Sequence, residues 1–208
     1  MAEIVKEVND KLLRKINKIL SRGGVIAFPT ETVYALAVDA SNDEAVKKIY
    51  ALKERENCKP LSILVSDMCQ ANTIVDVDER AEKLSVNFFP GPLTIILNKR
   101  EYGPISRYVN EGSDTVGIRI PSHLLTLKIL KSYGRPLVGT SANISGNNAD
   151  SMDPKKIIEI FGGIDLIVDL GETEHKNFST VIDLSSPEAN VVREGVIPSG
   201  KILKCLES

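Results

Sequence analysis

The chain has 208 residues, 42% apolar and 26% charged, which excludes a disordered, collagen-like or coiled-coil protein. A chain of this length buries roughly 70% of the surface it exposes when unfolded, so its core needs no disulfide or metal staple. Its 26 Lys and Arg against 28 Asp and Glu give a net charge of -2, which excludes a protein that grips nucleic acid by overall charge.

In chain order, Leu12, Leu13, Ile16, Ile19 and Leu20 share one face of a predicted helix over 10–20, stopped by Gly23-Gly24. Val25–Phe28 reads as a buried strand ended by Pro29. A second helix runs from Asp43 to about Arg55, capped by Ser41 or Asn42, with Ala45, Val46, Ile49 and Leu52 turned inward. A strand at 61–65, a helix at 79–88 and a strand at 93–97 follow, then an aperiodic stretch at 98–114 read as a surface loop. Beyond it come a strand at 115–120, a helix at 122–131, a strand at 137–140 and a polar loop at 141–151. After Pro154 a helix reaches Phe161, and strands lie near 164–168, 180–184 and 191–193. This alternation predicts an α/β or α+β fold, one domain over 1–208 around a single sizeable sheet.

Charge is unevenly spread. Residues 1–140 carry 20 basic and 17 acidic side chains and the rest 6 and 11, so a cationic site in the first two thirds is compatible with an acidic whole. Cys58, Cys69 and Cys205 form no CxxC pair, and His123 and His175 are the only histidines, so neither a disulfide framework nor a protein-built metal site is expected. The N-terminus lacks a signal-peptide core and no 18 apolar residues run together, so the expected location is the cytoplasm, without membrane contact.

Several motifs bear on chemistry. Gly195 to Lys201 has the spacing of a phosphate loop, but Ile202 replaces the metal-binding hydroxyl and too little chain follows for a βαβ unit; the match reads as coincidence. Gly139-Thr-Ser141-Ala-Asn143 approaches a serine-hydrolase elbow, but Asn143 replaces the glycine that lets the next helix pack closely. Lys53, Arg55 and Lys59 put three cations at a helix end and in the turn before a strand, where ligands of open sheets bind. Pro29-Thr-Glu-Thr32-Val-Tyr34 follows a strand with hydroxyls and a carboxylate. Arg119, in the otherwise apolar strand Thr115–Ile120, wants an anion, from either the protein or a ligand.

Together the blocks FPTETVYAL, ALKER with KPL, FFPGPLTIIL, TVGIRIP, GTSANISG, FSTVIDL and VVREGVI, from about Gly23 to Ile197, resemble the YrdC family of threonylcarbamoyl-AMP synthases. The resemblance implies a twisted, open mixed sheet flanked by helices with a cationic concave face, in the short single-domain form. It implies a nucleotidyltransferase that makes threonylcarbamoyl-adenylate and pyrophosphate from L-threonine, bicarbonate and ATP. Mg²⁺ would ride on the ATP phosphates, with no prosthetic group, and a separate transferase would pass the product to tRNA. By motif position Thr32, Arg119 and Ser179 resemble threonine ligands, Arg119 taking the carboxylate. Arg55, Lys59, Thr115, Ser141 and Arg193 resemble ATP-binding positions, and Lys53, Arg55, Ser141 and Asn143 the catalytic cluster. Ala35 and Ala37 depart from family glycines, Glu56 from a proline and Leu64 from a histidine found in some members.

The residues agree with that chemistry. Driving a carboxylate onto the α-phosphate of ATP brings two anions together, which fixed cations and hydrogen-bond donors favour and histidine acid–base chemistry does not. On this reading Arg55→Ala or Arg119→Ala abolishes adenylate formation and leaves the fold intact. The alternatives are a non-catalytic module of the same fold that binds double-stranded RNA or tRNA, and a related carbamoyl-transfer domain. The acidic balance and 5% aromatic content argue against the RNA module.

Overall fold

Helix α1 (Asp10–Ser21) shows how the sequence lays down its elements: the Asn9 side chain caps it by accepting from the Leu12 amide at 3.0 Å, and Leu12, Ile16 and Leu20 form its buried stripe. The computed structural model describes residues 2–54, 60–143 and 154–208, so Arg55, Lys59, Cys58 and most of the polar loop at 141–151 lie outside the described residues. The remaining helices are α2 (Asp43–Leu52), α3 (Met68–Ala71), α4 (Glu79–Phe88), α5 (Leu124–Tyr133), α6 (Pro154–Ile160) and α7 (Ser199–Glu207). The strands are β1 (Glu3–Val5), β2 (Ile26–Pro29), β3 (Tyr34–Asp39), β4 (Ser62–Leu64), β5 (Leu93–Asn98), β6 (Thr115–Arg119), β7 (Leu137–Ser141), β8 (Leu166–Val168), β9 (Thr180–Asp183) and β10 (Asn190–Arg193).

The strands form one mixed sheet in the order β1-β8-β2-β3-β7-β4-β6-β5-β9-β10. Parallel pairs are β1/β8, β2/β8, β4/β6 and β5/β9; β2/β3, β3/β7, β4/β7, β5/β6 and β9/β10 are antiparallel. The predicted α/β fold on one open sheet is what forms.

Side-chain alternation on β3 separates two cores. Ala35 and Ala37 pack with the α1 and α5 residues Leu12, Ile16, Leu125 and Ile129. Leu36 and Val38 join the α2, α4, α6 and α7 residues on the opposite face. Along β4, β6 and β5 the first face carries Ser62, Gly117, Arg119 and Thr94 beside Leu64 and Ile96, and there the sheet opens into a cleft.

Sequence periodicity missed β1, β3, α3 and α7. β3 is buried along its whole length between β2 and β7, so the polar–apolar alternation of a half-buried strand is missing. The stretch at 98–114 is more than a surface loop. Asn110 is buried; its Oδ1 accepts from the Leu61 amide at 2.6 Å and its Nδ2 donates to the Leu61 carbonyl at 3.2 Å, as a neighbouring strand would. Lys99 Nζ donates to the Val109 and Asn110 carbonyls at 3.3 Å each.

The phosphate-loop spacing is coincidental. Gly200 and Lys201 belong to α7, and the amides of Gly195 and Ile197 donate to Thr180 Oγ1 at 3.0 and 3.1 Å. Thr180 in turn donates to the Ile197 carbonyl at 2.6 Å. Gly195 passes so close to β9 that a Cβ there would stand 2.2 Å from the Phe178 oxygen. Thr180→Val keeps the shape but strands two amides, and should lower unfolding free energy by about 2–4 kcal/mol in urea titrations. A loss below about 0.5 kcal/mol would mean that Thr180 does not anchor this segment.

Candidate active site

The open part of the sheet face is a cleft whose lining includes Thr30, Thr32, Leu64, Thr94, Arg119, Ser141, Phe178, Ser179 and Arg193. Thr32, Arg119, Ser141, Ser179 and Arg193, drawn from five separate sequence blocks, therefore converge on one place.

One wall is the β2–β3 hairpin. Thr30 Oγ1 donates to the Val33 carbonyl at 2.6 Å and lies 2.8 Å from Thr32 Oγ1, so one hydroxyl fixes the turn that presents Glu31 and Thr32. Tyr34, behind it, donates to the Gly171 carbonyl at 2.7 Å and ties the hairpin to the loop after β8. Arg119, at the end of β6, meets this turn. Its Nη2 lies 2.7 Å from Glu31 Oε1 and 2.9 Å from Thr32 Oγ1, and its Nε donates to the Gly91 carbonyl at 3.3 Å. The anion that Arg119 demands is thus a protein carboxylate, and Nη1 makes no hydrogen bond among the described residues.

Glu31 is only 2% exposed and Arg119 8%. Burial pushes the Glu31 carboxyl up, but Arg119, by charge and hydrogen bond, together with nearby backbone amides holds it below the ordinary 4.5. The pair is a buried, charge-compensated unit, and its arginine is one of the residues lining the cleft.

The facing wall comes from the blocks around 178 and 193. Thr94 and Ser179 hydroxyls lie 2.9 Å apart, and Arg193 donates from Nη2 to the Ser179 carbonyl at 3.0 Å and to its hydroxyl at 3.3 Å. The Arg193 guanidinium also stands 5.3 Å from the centre of the Phe178 ring. It comes from an edge strand whose pairing shifts by one residue between Val191 and Arg193, a bulge that re-aims the side chain.

At the end of β7, Lys53 reaches in from the C-terminal end of α2. Its ammonium donates to the Ser141 carbonyl, and Ser141 Oγ and Asn143 Oδ1 each lie 3.5 Å away. Lys53, Ser141 and Asn143 are therefore one cluster on the rim of the cleft. Ser141 as a hydrolase nucleophile finds no support here, since its neighbour is an ammonium and His175 is exposed, its amide on the Glu31 carbonyl at 3.0 Å. Thr115 is not among the lining residues. It sits at the other end of β6, with Ser113 Oγ 3.1 Å from its hydroxyl.

The sequence reading missed Glu31 and Thr94 as members of the site. Glu31 was visible within the PTETVY block as a carboxylate between two threonines; Thr94 follows turn residues and looks like an ordinary strand residue. The floor is tightly fitted: a Cβ on Gly139 would lie 2.5 Å from Leu64 Cγ and 2.6 Å from its Cδ1. Gly139→Ala should therefore cost about 1–3 kcal/mol and lower the melting temperature. An unchanged melting temperature would mean that Leu64 has room to move.

Comparison with known proteins places this architecture. A family model described as "Telomere recombination", covering the Sua5, YciO and YrdC proteins, matches residues 18–195. The threonylcarbamoyl-AMP synthase of Pyrococcus abyssi is 38% identical over 90% of this chain and 55% of its own length. The putative threonylcarbamoyl-AMP synthase of Methanocaldococcus jannaschii is 35% identical over 98% of this chain and 95% of its own. The crystal structure of P. abyssi Sua5 complexed with L-threonine superposes with a TM-score of 0.90 at 36% identity, covering 99% of this chain and 60% of that one. The chain thus spans little more than half of the P. abyssi relative. Among the described residues no helix is long and apolar enough to cross a membrane. By family match, identity and fold alike, the chain belongs to the Sua5/YciO/YrdC family.

Proposed function

We propose that the cleft forms threonylcarbamoyl-adenylate from L-threonine, bicarbonate and ATP, making the chain a nucleotidyltransferase. The observation that carries this reading is that Thr32, Arg119, Ser141, Ser179 and Arg193 line one cleft, with Lys53 held at Ser141. A carboxylate site and a polyphosphate site then share one cleft. The synthase names of the relatives at 35–38% identity and the threonine bound to the P. abyssi protein support it.

In this reading Arg119 takes the threonine carboxylate, with Thr32 and Ser179 as further ligands. The amine adds to CO₂ derived from bicarbonate and loses a proton, giving N-carboxythreonine. An oxygen of the new carboxylate attacks the α-phosphorus of MgATP; the bond from that phosphorus to the α,β-bridge oxygen breaks and pyrophosphate leaves. Mg²⁺ enters with the nucleotide as part of that substrate. Lys53, Arg193, Ser141 and Asn143, with Arg55 and Lys59, serve the nucleotide; cations and neutral donors lower the repulsion between the two anions. The product is a mixed anhydride, which a separate transferase would consume by moving the threonylcarbamoyl group to tRNA. The test is pyrophosphate release from ATP with threonine and bicarbonate supplied singly and together. Release that requires both supports the reading, and release indifferent to threonine overturns it.

A further inference from the structure

Arg119 is not simply a cation waiting for a ligand. Its Nη2 is held by Glu31 at 2.7 Å, Glu31 is 2% exposed and is not among the residues lining the cleft, and its Oε2 is buried. A ligand at Arg119 Nη1 therefore touches guanidinium, yet lies within the field of a fixed carboxylate it cannot reach. In a cleft read as taking both an amino acid and a triphosphate, that carboxylate does more than orient the arginine.

We infer that Glu31 is a specificity-determining residue that keeps polyphosphate out of the Arg119 subsite. The inference rests on the functional reading above. The repulsion from Glu31 scales with the charge of the arriving anion. A zwitterionic amino acid has an ammonium beside its carboxylate and bears little of that repulsion, whereas pyrophosphate or a nucleotide tail bears it in full. The bare Arg119 fork would suit phosphate as well as carboxylate, since both accept two parallel N–H bonds. Discrimination therefore comes from the repulsive partner, not from the attractive one.

Glu31→Gln keeps an acceptor for Nη2 and removes only the charge; Glu31→Asp keeps the charge and shortens the arm. Threonine binding is measured by calorimetry without ATP, with and without inorganic pyrophosphate at matched ionic strength. For the wild type and Glu31→Asp, pyrophosphate should change the threonine Kd by less than about twofold; for Glu31→Gln it should weaken threonine by about tenfold or more. Competition as strong in the wild type, no gain in Glu31→Gln, or the same gain in Glu31→Asp would each overturn the inference. A role confined to anchoring Arg119 predicts weaker threonine binding in Glu31→Gln with no new response to pyrophosphate. The wild-type and Glu31→Asp results decide even if Glu31→Gln does not fold. Should the chain bind no threonine, the functional reading fails separately. Direct pyrophosphate titration then remains: Glu31→Gln should show one more site than wild type, lost on adding Arg119→Gln, and its absence counts against the filter.

Discussion

Arg119→Ala is expected to weaken threonine binding by at least about 100-fold and to destabilise the protein by about 3–5 kcal/mol. On the proposed function, the first effect follows from losing charge-assisted hydrogen bonds to the threonine carboxylate. The second follows from Glu31, whose buried carboxylate loses the guanidinium 2.7 Å away. The sequence alone leads to the expectation that Arg119→Ala leaves the fold intact; the buried partner sets a stability cost beside it, since a strand arginine looks dispensable to the core until its partner is known to be buried. Removing both charges separates the effects. Glu31→Gln with Arg119→Met should recover most of the stability, because replacing a buried ion pair is often neutral, while threonine binding stays lost. If the double variant melted as low as Arg119→Ala, the uncompensated charge would not be the cause.

Acid provides a second check. The Glu31 pKa lies lower in the folded chain than in the unfolded one, where it titrates near 4.5. Its pairing therefore contributes fully above that value and fades as pH falls through the folded-state pKa. The wild-type melting temperature should drop more steeply below about pH 4.5 than that of the double variant.

How much of this was legible in the sequence depended on whether a signal was local. Helix α4 falls at the positions that its apolar spacing and acidic first turn predict, with Asp78 as cap. The motif blocks named residues whose side chains share a cleft although their strands stand apart in the chain. β3 was not legible, because a wholly buried strand has no polar face to mark it. Glu31 as the partner of Arg119 was equally hidden: the two residues are 88 positions apart, and nothing in either block says which anion the arginine holds. The role of Asn110 depends on meeting Leu61 across a loop, a contact that only the folded chain creates.

Lys53→Met should reduce kcat by roughly 10²–10³-fold while leaving the threonine Kd within about twofold of wild type. Lys53 is 1% exposed and follows the last residue of α2, so its ammonium has been carried across the core edge to the end of β7. There the Ser141 carbonyl, Ser141 Oγ and Asn143 Oδ1 surround it. These three oxygens help to fix its position and carry no net charge themselves. A fixed charge of this kind helps most where negative charge builds up during the reaction, and contributes little to ground-state binding at Arg119. Lys53→Arg should not restore activity, because a planar fork cannot occupy a space shaped for a compact ammonium. Losing the donor should also leave the Ser141 and Asn143 oxygens short of a partner, lowering stability by about 1–3 kcal/mol, so rates must be compared at a temperature where the variant is folded. An unchanged kcat in folded Lys53→Met would reduce Lys53 to a strut between α2 and β7. A parallel loss of threonine affinity would mean instead that the two ends of the cleft are coupled through β7, and that Lys53 shapes the amino-acid site as well as the nucleotide one.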